Sequence, residues 1–213
     1  MNTFAKKLLA EFIGVTVFLT AITGAILSGS GLPTVALATA LGLMILLTAG
    51  VSGGHLNPAV SLFFFARKQL SSTDLLGYIA AQLAGGFAGT LLGSAIWQKS
   101  ISAPALDNGA SIAVILSELL ATAGLVWIIG TLADTNRGNI IPVAVGLWVA
   151  AAAIFTSTGA QANPAVSFGL LFFPLGGHPL GTQAVLVLAQ LAGALVAVVL
   201  LNTFGAKAKS TKK

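Results

Sequence analysis

The chain has 213 residues, 56% of them hydrophobic and only 7% charged, with a formal net charge of +5 and a mean hydropathy of +0.98. So few charged side chains cannot cover a soluble domain of this size, which excludes an ordinary soluble enzyme or nucleic-acid-binding domain and indicates an integral membrane protein. There is no cysteine, which rules out disulfides and thiolate metal sites, and the Lys and Arg residues sit mostly at the ends of apolar stretches, where topology signals belong.

In chain order, a short basic lead (residues 1–7) precedes an apolar stretch, 8–27, interrupted only by Glu11. It reads as a retained first span rather than a cleaved leader. After a turn at 28–31, Pro33 suits the start of a second span that runs to about residue 50. Gly53 and Gly54 then break the helix ahead of the word His55-Leu56-Asn57-Pro58-Ala59-Val60-Ser61. Asn followed by Pro predicts a helix start, because the Asn side chain caps and Pro has no N–H to leave unpaired. This helix is expected to run through Phe63-Phe64-Phe65 to Arg67 and Lys68, cations favourable at a helix C-terminus. A third span is predicted over 74–97, where Gly85, Gly89 and Gly93 recur every fourth residue and bare one face for close helix packing.

A polar connection (98–110) leads to spans four (111–132) and five (140–158), separated by a polar turn. The word then returns as Gln161-Ala162-Asn163-Pro164-Ala165-Val166-Ser167 and predicts a helix through Leu170-Leu171-Phe172-Phe173, ending before Pro174, Gly176 and Gly177. A sixth span over 181–204 ends in a basic tail, 205–213. His178, in the connection before it, is expected to be exposed.

The flanks repeat as well: Glu118 stands in the second half as Glu11 does in the first, and Ala81-Gln82-Leu83-Ala84-Gly85 recurs as Ala189-Gln190-Leu191-Ala192-Gly193. The chain therefore reads as one domain over 1–213 made of two repeats, about 8–97 and 111–204. Each helix after the repeated word has roughly ten residues, or about 15 Å, half of a bilayer core of about 30 Å. Three full crossings per half make the repeat inverted, the arrangement that sets two half-helices facing each other at the midplane. The expected fold is thus an all-α membrane protein with six transmembrane helices and two re-entrant half-helices. Lys6, Lys7, Arg67, Lys68, Arg137, Lys207, Lys209, Lys212 and Lys213 fall on one side and Lys99 on the other. The basic side, with both termini, is expected to be cytoplasmic.

Two helix N-termini meeting at the midplane would present about +0.5 charge each, a barrier to cations but not to neutral solutes. Carbonyls of the preceding loops (Gly53, Gly54, His55 and Leu56; Thr158, Gly159 and Gln161) would form a ladder of acceptors. Non-helical backbone at that depth is tolerated where it is protein-buried or lines an aqueous cavity, which favours a pore. No nucleophile with a base, metal cluster or phosphate loop is apparent, so neither catalysis nor a cofactor or metal is expected.

Six spans, an inverted repeat and paired Asn-Pro-Ala words resemble the aquaporin and aquaglyceroporin (major intrinsic protein) family, and Ser52-Gly53-Gly54-His55-Leu56-Asn57-Pro58-Ala59-Val60 is similar to its first signature. The resemblance implies that Asn57 and Asn163 face the pore midpoint, that Pro58 and Ala59 with Pro164 and Ala165 build the junction of the half-helices, and that the protein is a homotetramer with one pore per subunit. It also implies that Glu11 and Glu118 brace the loops. They and His55 are the ionisable groups expected within the membrane, read as hydrogen-bonding braces rather than a proton relay.

One departure stands out. Most members continue the second word with Arg, whose side chain enters the outer constriction; here the residue is Val166. Counting from the Asn, the remaining constriction positions are Leu37, Ala151 and Ala160. None is aromatic or charged, so a wide, apolar filter is expected. The function read from this is a passive channel for water and small uncharged solutes, glycerol-like polyols and neutral metalloid hydroxides such as arsenous acid among them. A strict water channel, a gradient-driven transporter built on an inverted repeat and a closed junctional protein are the alternatives. The expected partners are the lipid bilayer of the cell membrane and small neutral solutes, with no nucleic acid.

Overall fold

The computed structural model describes residues 1–204 apart from Asn108, Pro174 and Gly176; the predicted basic tail lies outside the described residues. The helices are α1 (Thr3–Leu27), α2 (Pro33–Ser52), α3 (Pro58–Ala66), α4 (Ser72–Ile96), α5 (Ile112–Asp134), α6 (Ile141–Phe155, entered through a 3-10 turn at Gly138–Ile140), α7 (Pro164–Leu170) and α8 (Leu180–Phe204). Among the described residues, six are long and apolar enough to cross a membrane, counting the 3-10 turn with α6. The other two, α3 and α7, have nine and seven residues.

Three boundaries differ from expectation for local reasons. α1 starts at Thr3 because Asn2 caps it, its Oδ1 accepting from the Ala5 N–H at 2.8 Å. α6 stops at Phe155, where Thr156 turns extended (φ −98°, ψ 148°), so Thr158 is free to leave the helix axis. α7 ends at Leu170 rather than near Phe173: the chain tightens into short turns, Phe172 N–H to Gly169 and Phe173 N–H to Leu170, and the Phe172 carbonyl accepts from Ser102 in the connection between halves.

Packing is duplicated across the halves. α1 against α4 has its counterpart in α5 against α8, α1–α2 in α5–α6, and α4–α7 in α8–α3, while α2 meets α6 and α3 meets α7 across the middle. Such close approach in lipid needs bare backbone, since apolar side chains gain nothing by leaving lipid tails. A Cβ on Gly85 would sit 2.6 Å from the Phe12 carbonyl, and one on Gly193 would sit 2.6 Å from that of Leu119. The Gly85, Gly89 and Gly93 face thus lies against α1. The resulting core surrounds α3 and α7, with residues such as Val15, Ala59, Val126 and Ala165 wholly buried.

Candidate functional site: a pore between two half-helices

Each repeated word closes on itself and on the other. Asn57 caps α3, its Oδ1 accepting from the Ala59 N–H at 2.8 Å, while its Nδ2 donates to the Ala162 carbonyl at 2.8 Å. Asn163 caps α7 through Ala165 at 2.9 Å and donates to the Leu56 carbonyl at 2.8 Å. Pro58, Ala59, Pro164 and Ala165 are buried behind them. The two helix N-termini, and the partial positive charge they carry, are thereby held beside one central cavity.

Reaching that geometry strains the backbone. Leu56 and Ala162 lie in the left-handed region at φ 50° and 46°, a conformation costing a residue with a Cβ about 1–2 kcal/mol. Two buried glutamates hold them there. Glu11 accepts from the Ser52 hydroxyl and the His55 N–H (3.0 Å) on one oxygen, and from the Leu56 N–H (2.6 Å) and Gln82 Nε2 (2.7 Å) on the other. Glu118 repeats the pattern with the Thr158 hydroxyl, Gln161 N–H (3.0 Å), Ala162 N–H (2.7 Å) and Gln190 Nε2 (2.6 Å). Four hydrogen bonds converge on each carboxyl, two on each oxygen. Gln82, Gln190, Ser52 and Tyr78, whose hydroxyl donates to the Ser52 carbonyl at 2.6 Å, are members of this scaffold that the motif reading left without a role. The only signal for the glutamines was that their flanks recur.

Each glutamine reaches one residue further. Gln82 Nε2 also donates to Ser61 Oγ at 3.1 Å, which lies 3.1 Å from His55 Nδ1. Gln190 Nε2 donates to Ser167 Oγ at 2.9 Å, and that hydroxyl donates to Gln161 Oε1 at 2.6 Å. The His55 ring stacks on Phe64 with centroids 4.7 Å apart.

Three cavities follow one another through the molecule. The one on the side of the N-terminus, about 520 Å³, is lined by Gly53, His55 and Phe64 and by the Lys7–Asp74 ion pair, 3.1 Å. The central one, about 60 Å³, is lined by Gly53, Gly54, His55 and Asn57 from one loop and Gln161, Ala162 and Asn163 from the other. A third, about 270 Å³, opens on the opposite side between Leu37, Thr158, Gly159, Ala160, Gln161 and Val166. Gly53, His55 and Phe64 are shared by the first two cavities and Gln161 by the last two. The line therefore has a neck at His55 and a neck at Gln161.

Two expected residues are elsewhere. Ala151 is exposed on the outward face of α6, and Ala153 lines the cavity instead; a two-residue shift turns a side chain by about 200° around a helix. Leu56 is completely buried, with its carbonyl engaged by Asn163, so it stands behind the cavity wall rather than among the acceptors facing it. His178 is half-buried, not exposed.

The comparisons with known proteins agree with this architecture. The family model described as "Major intrinsic protein" matches residues 1–175. Among curated relatives, an aquaporin TIP1-2 of Zea mays is 36% identical over 190 residues, covering 78% of this chain and 73% of its own. An aquaglyceroporin, AqpS, of Rhizobium meliloti is 31% identical over 92% of this chain and 89% of its own. A "Glycerol uptake facilitator protein-like 6" of Lactiplantibacillus plantarum is 31% identical over 95% and 99%. The X-ray structure of the aquaglyceroporin from Plasmodium falciparum superposes with a TM-score of 0.79 over 94% of this chain and 96% of that one, at 22% identity. With its six spans, its paired half-helices and a family match over most of its length, the chain belongs to the major intrinsic protein family.

Proposed function

We propose that this protein is a passive channel through which water and small uncharged solutes cross the membrane between the α3 and α7 N-termini. The observation that carries the reading is the line of three adjoining cavities, which share His55 and Gln161 at their junctions and meet Asn57 and Asn163 in the middle. Neutral hydroxylic solutes exchange water for loop carbonyls and Asn amides along this line, while the electropositive midpoint opposes cations.

The third cavity supports solutes larger than water. Its walls at Leu37, Ala160 and Val166 are aliphatic and bring no charge, and its volume of about 270 Å³ exceeds that of one water, which suits a polyol or a neutral metalloid hydroxide. The relatives named for glycerol uptake and as aquaglyceroporins favour this solute class. Both termini on the cytoplasmic side of the cell membrane, and a homotetramer with a pore in each subunit, complete the reading. Stopped-flow light scattering on proteoliposomes with water, glycerol and arsenous acid tests it. Water flux accompanied by glycerol or arsenous acid above the empty-liposome rate is expected; water flux alone would leave a strict water channel, and no excess flux at all would overturn the channel.

A further inference from the structure

The outer neck lacks the cationic donor that an arginine at position 166 would provide, yet one of its side chains is polar and has a fixed orientation. Gln161 lines both the central and the outer cavity. Its Oε1 accepts from Ser167 Oγ at 2.6 Å, and its Nε2 makes no hydrogen bond to another described residue.

The orientation belongs to a relay that ends at Glu118. The NH₂ end of the Gln190 amide faces that carboxyl, its Nε2 donating to Oε2 at 2.6 Å. That same nitrogen gives its second hydrogen to Ser167 Oγ, and the Ser167 O–H is left to donate onward to Gln161. The oxygen of Gln161 is thereby held at Ser167, which turns its NH₂ away from that hydroxyl. The first half has the same polarity with a different last member. Gln82 Nε2 donates to Glu11 and to Ser61 Oγ, and in the tautomer in which Ser61 donates to Nδ1 of His55 the imidazole proton lies on Nε2.

We infer that the Gln161 side-chain amide is the solute-recognising donor of the outer neck, positioned by the Glu118–Gln190–Ser167 relay and matched at the inner neck by the Nε2–H of His55. The inference rests on the channel reading above and names the solute class it serves: molecules that present a hydroxyl oxygen as acceptor, such as polyols. A polyol filling the neck gives up most of its hydration at once, so a fixed N–H donor lowers its barrier. Water in file keeps its neighbours and depends on the donor less.

Reconstituted wild type, Gln161→Met, Gln161→His and Ser167→Ala test this by glycerol and water permeability. Wild-type water flux no faster than empty liposomes would be a failure of the channel reading itself. Given a conducting wild type, Gln161→Met, which keeps the length and removes the donor, should cut glycerol permeability by about five- to tenfold, the loss of one hydrogen bond, and water by much less. Gln161→His should recover most of that loss, because the ring can accept from Ser167 and point an N–H at the neck as His55 does. Ser167→Ala should lower the glycerol-to-water ratio in the wild-type background and leave it unchanged in the Gln161→Met background, a non-additivity that simple loosening of the loop would not produce. An unchanged ratio in Gln161→Met, or Gln161→His no better than Gln161→Met, would overturn the assignment. So would a wild type that passes water and no glycerol. If Gln161→Met fails to assemble, the ratio in Gln161→His must exceed that in Ser167→Ala, and equality of the two would overturn it as well.

Discussion

The two loops that enter the membrane share their skeleton and differ in what they show the pore. In the first, Ser52, Leu56 and Ser61 are tied to Glu11 and Gln82; in the second, Thr158, Ala162 and Ser167 are tied in the same order to Glu118 and Gln190. The side chains facing the lumen have diverged: His55 stacked on Phe64 narrows one neck, whereas Gln161 with the aliphatic Val166 and Leu170 borders the other. Positions that hold strained backbone are duplicated because any change leaves buried donors unpaired. Positions facing the solute bear no such cost, so selectivity can change there without disturbing the fold.

The largest expected effect breaks the duplicated part. Glu11→Gln or Glu118→Gln turns an NH₂ toward N–H or O–H donors and releases Leu56 or Ala162 from its left-handed conformation. Each buried donor left unpaired costs about 1–3 kcal/mol, and thermal unfolding in detergent should register the loss equally for the two variants. A large effect for one and none for the other would show that the skeletons are not equivalent.

Next comes the divergent neck. Val166→Arg adds a charge and several donors to the outer cavity, and glycerol permeability should fall by about tenfold, an added barrier of about 1.4 kcal/mol, with a smaller loss for water. Equal proportional losses would remove position 166 from the constriction. At the shared midpoint, Asn163→Asp places a carboxylate beside two helix N-termini. Cation conductance in planar bilayers should rise by about fivefold, an interaction of about 1 kcal/mol, and an unchanged leak in folded protein would count against Asn163 facing the pore.

The smallest effect concerns a cap that only one half has. α4 is capped locally, Ser71 Oγ accepting from the Asp74 N–H at 3.0 Å, whereas α8 is capped from a distance by Asp107, which accepts from the N–H of Thr182 at 3.0 Å and from its hydroxyl. The Thr182 hydroxyl, and after it the Thr182, Gly181 and Gly109 backbone bonds, hold the Asp107 carboxyl below its ordinary range against a weaker opposing effect of desolvation. Because the folded-state value is depressed, the stabilisation is present above the unfolded value of about 4 and is lost as pH falls through the folded value. Asp107→Asn should lower Tm slightly at neutral pH and flatten its decline on acidification; an identical pH profile would show that the clasp does not contribute.

Much of this was legible because the residues involved act locally. Asn-Pro announces a capped helix start wherever it occurs, and Gly85, Gly89 and Gly93 at fourfold spacing can serve little but packing. Ala151 was misplaced because Ala150 to Ala153 are four identical side chains, which give no apolar face from which to read the phase of α6. The roles of Gln82, Gln190, Ser61 and Ser167 depend on contacts across many residues, 71 for Gln82 to Glu11, and no local pattern encodes them. Leu56 was expected among the pore carbonyls because its neighbours are; only the bond from Asn163, 107 residues away, removes it.

Passage without a conformational cycle separates a channel from a transporter built on the same scaffold. Initial glycerol flux into proteoliposomes, followed over a wide range of concentration with and without proton and sodium gradients, tests this most directly. A channel gives flux that rises linearly with concentration and ignores both gradients. Flux that saturates and accelerates with a gradient would contradict it and identify a transporter built on the same inverted scaffold.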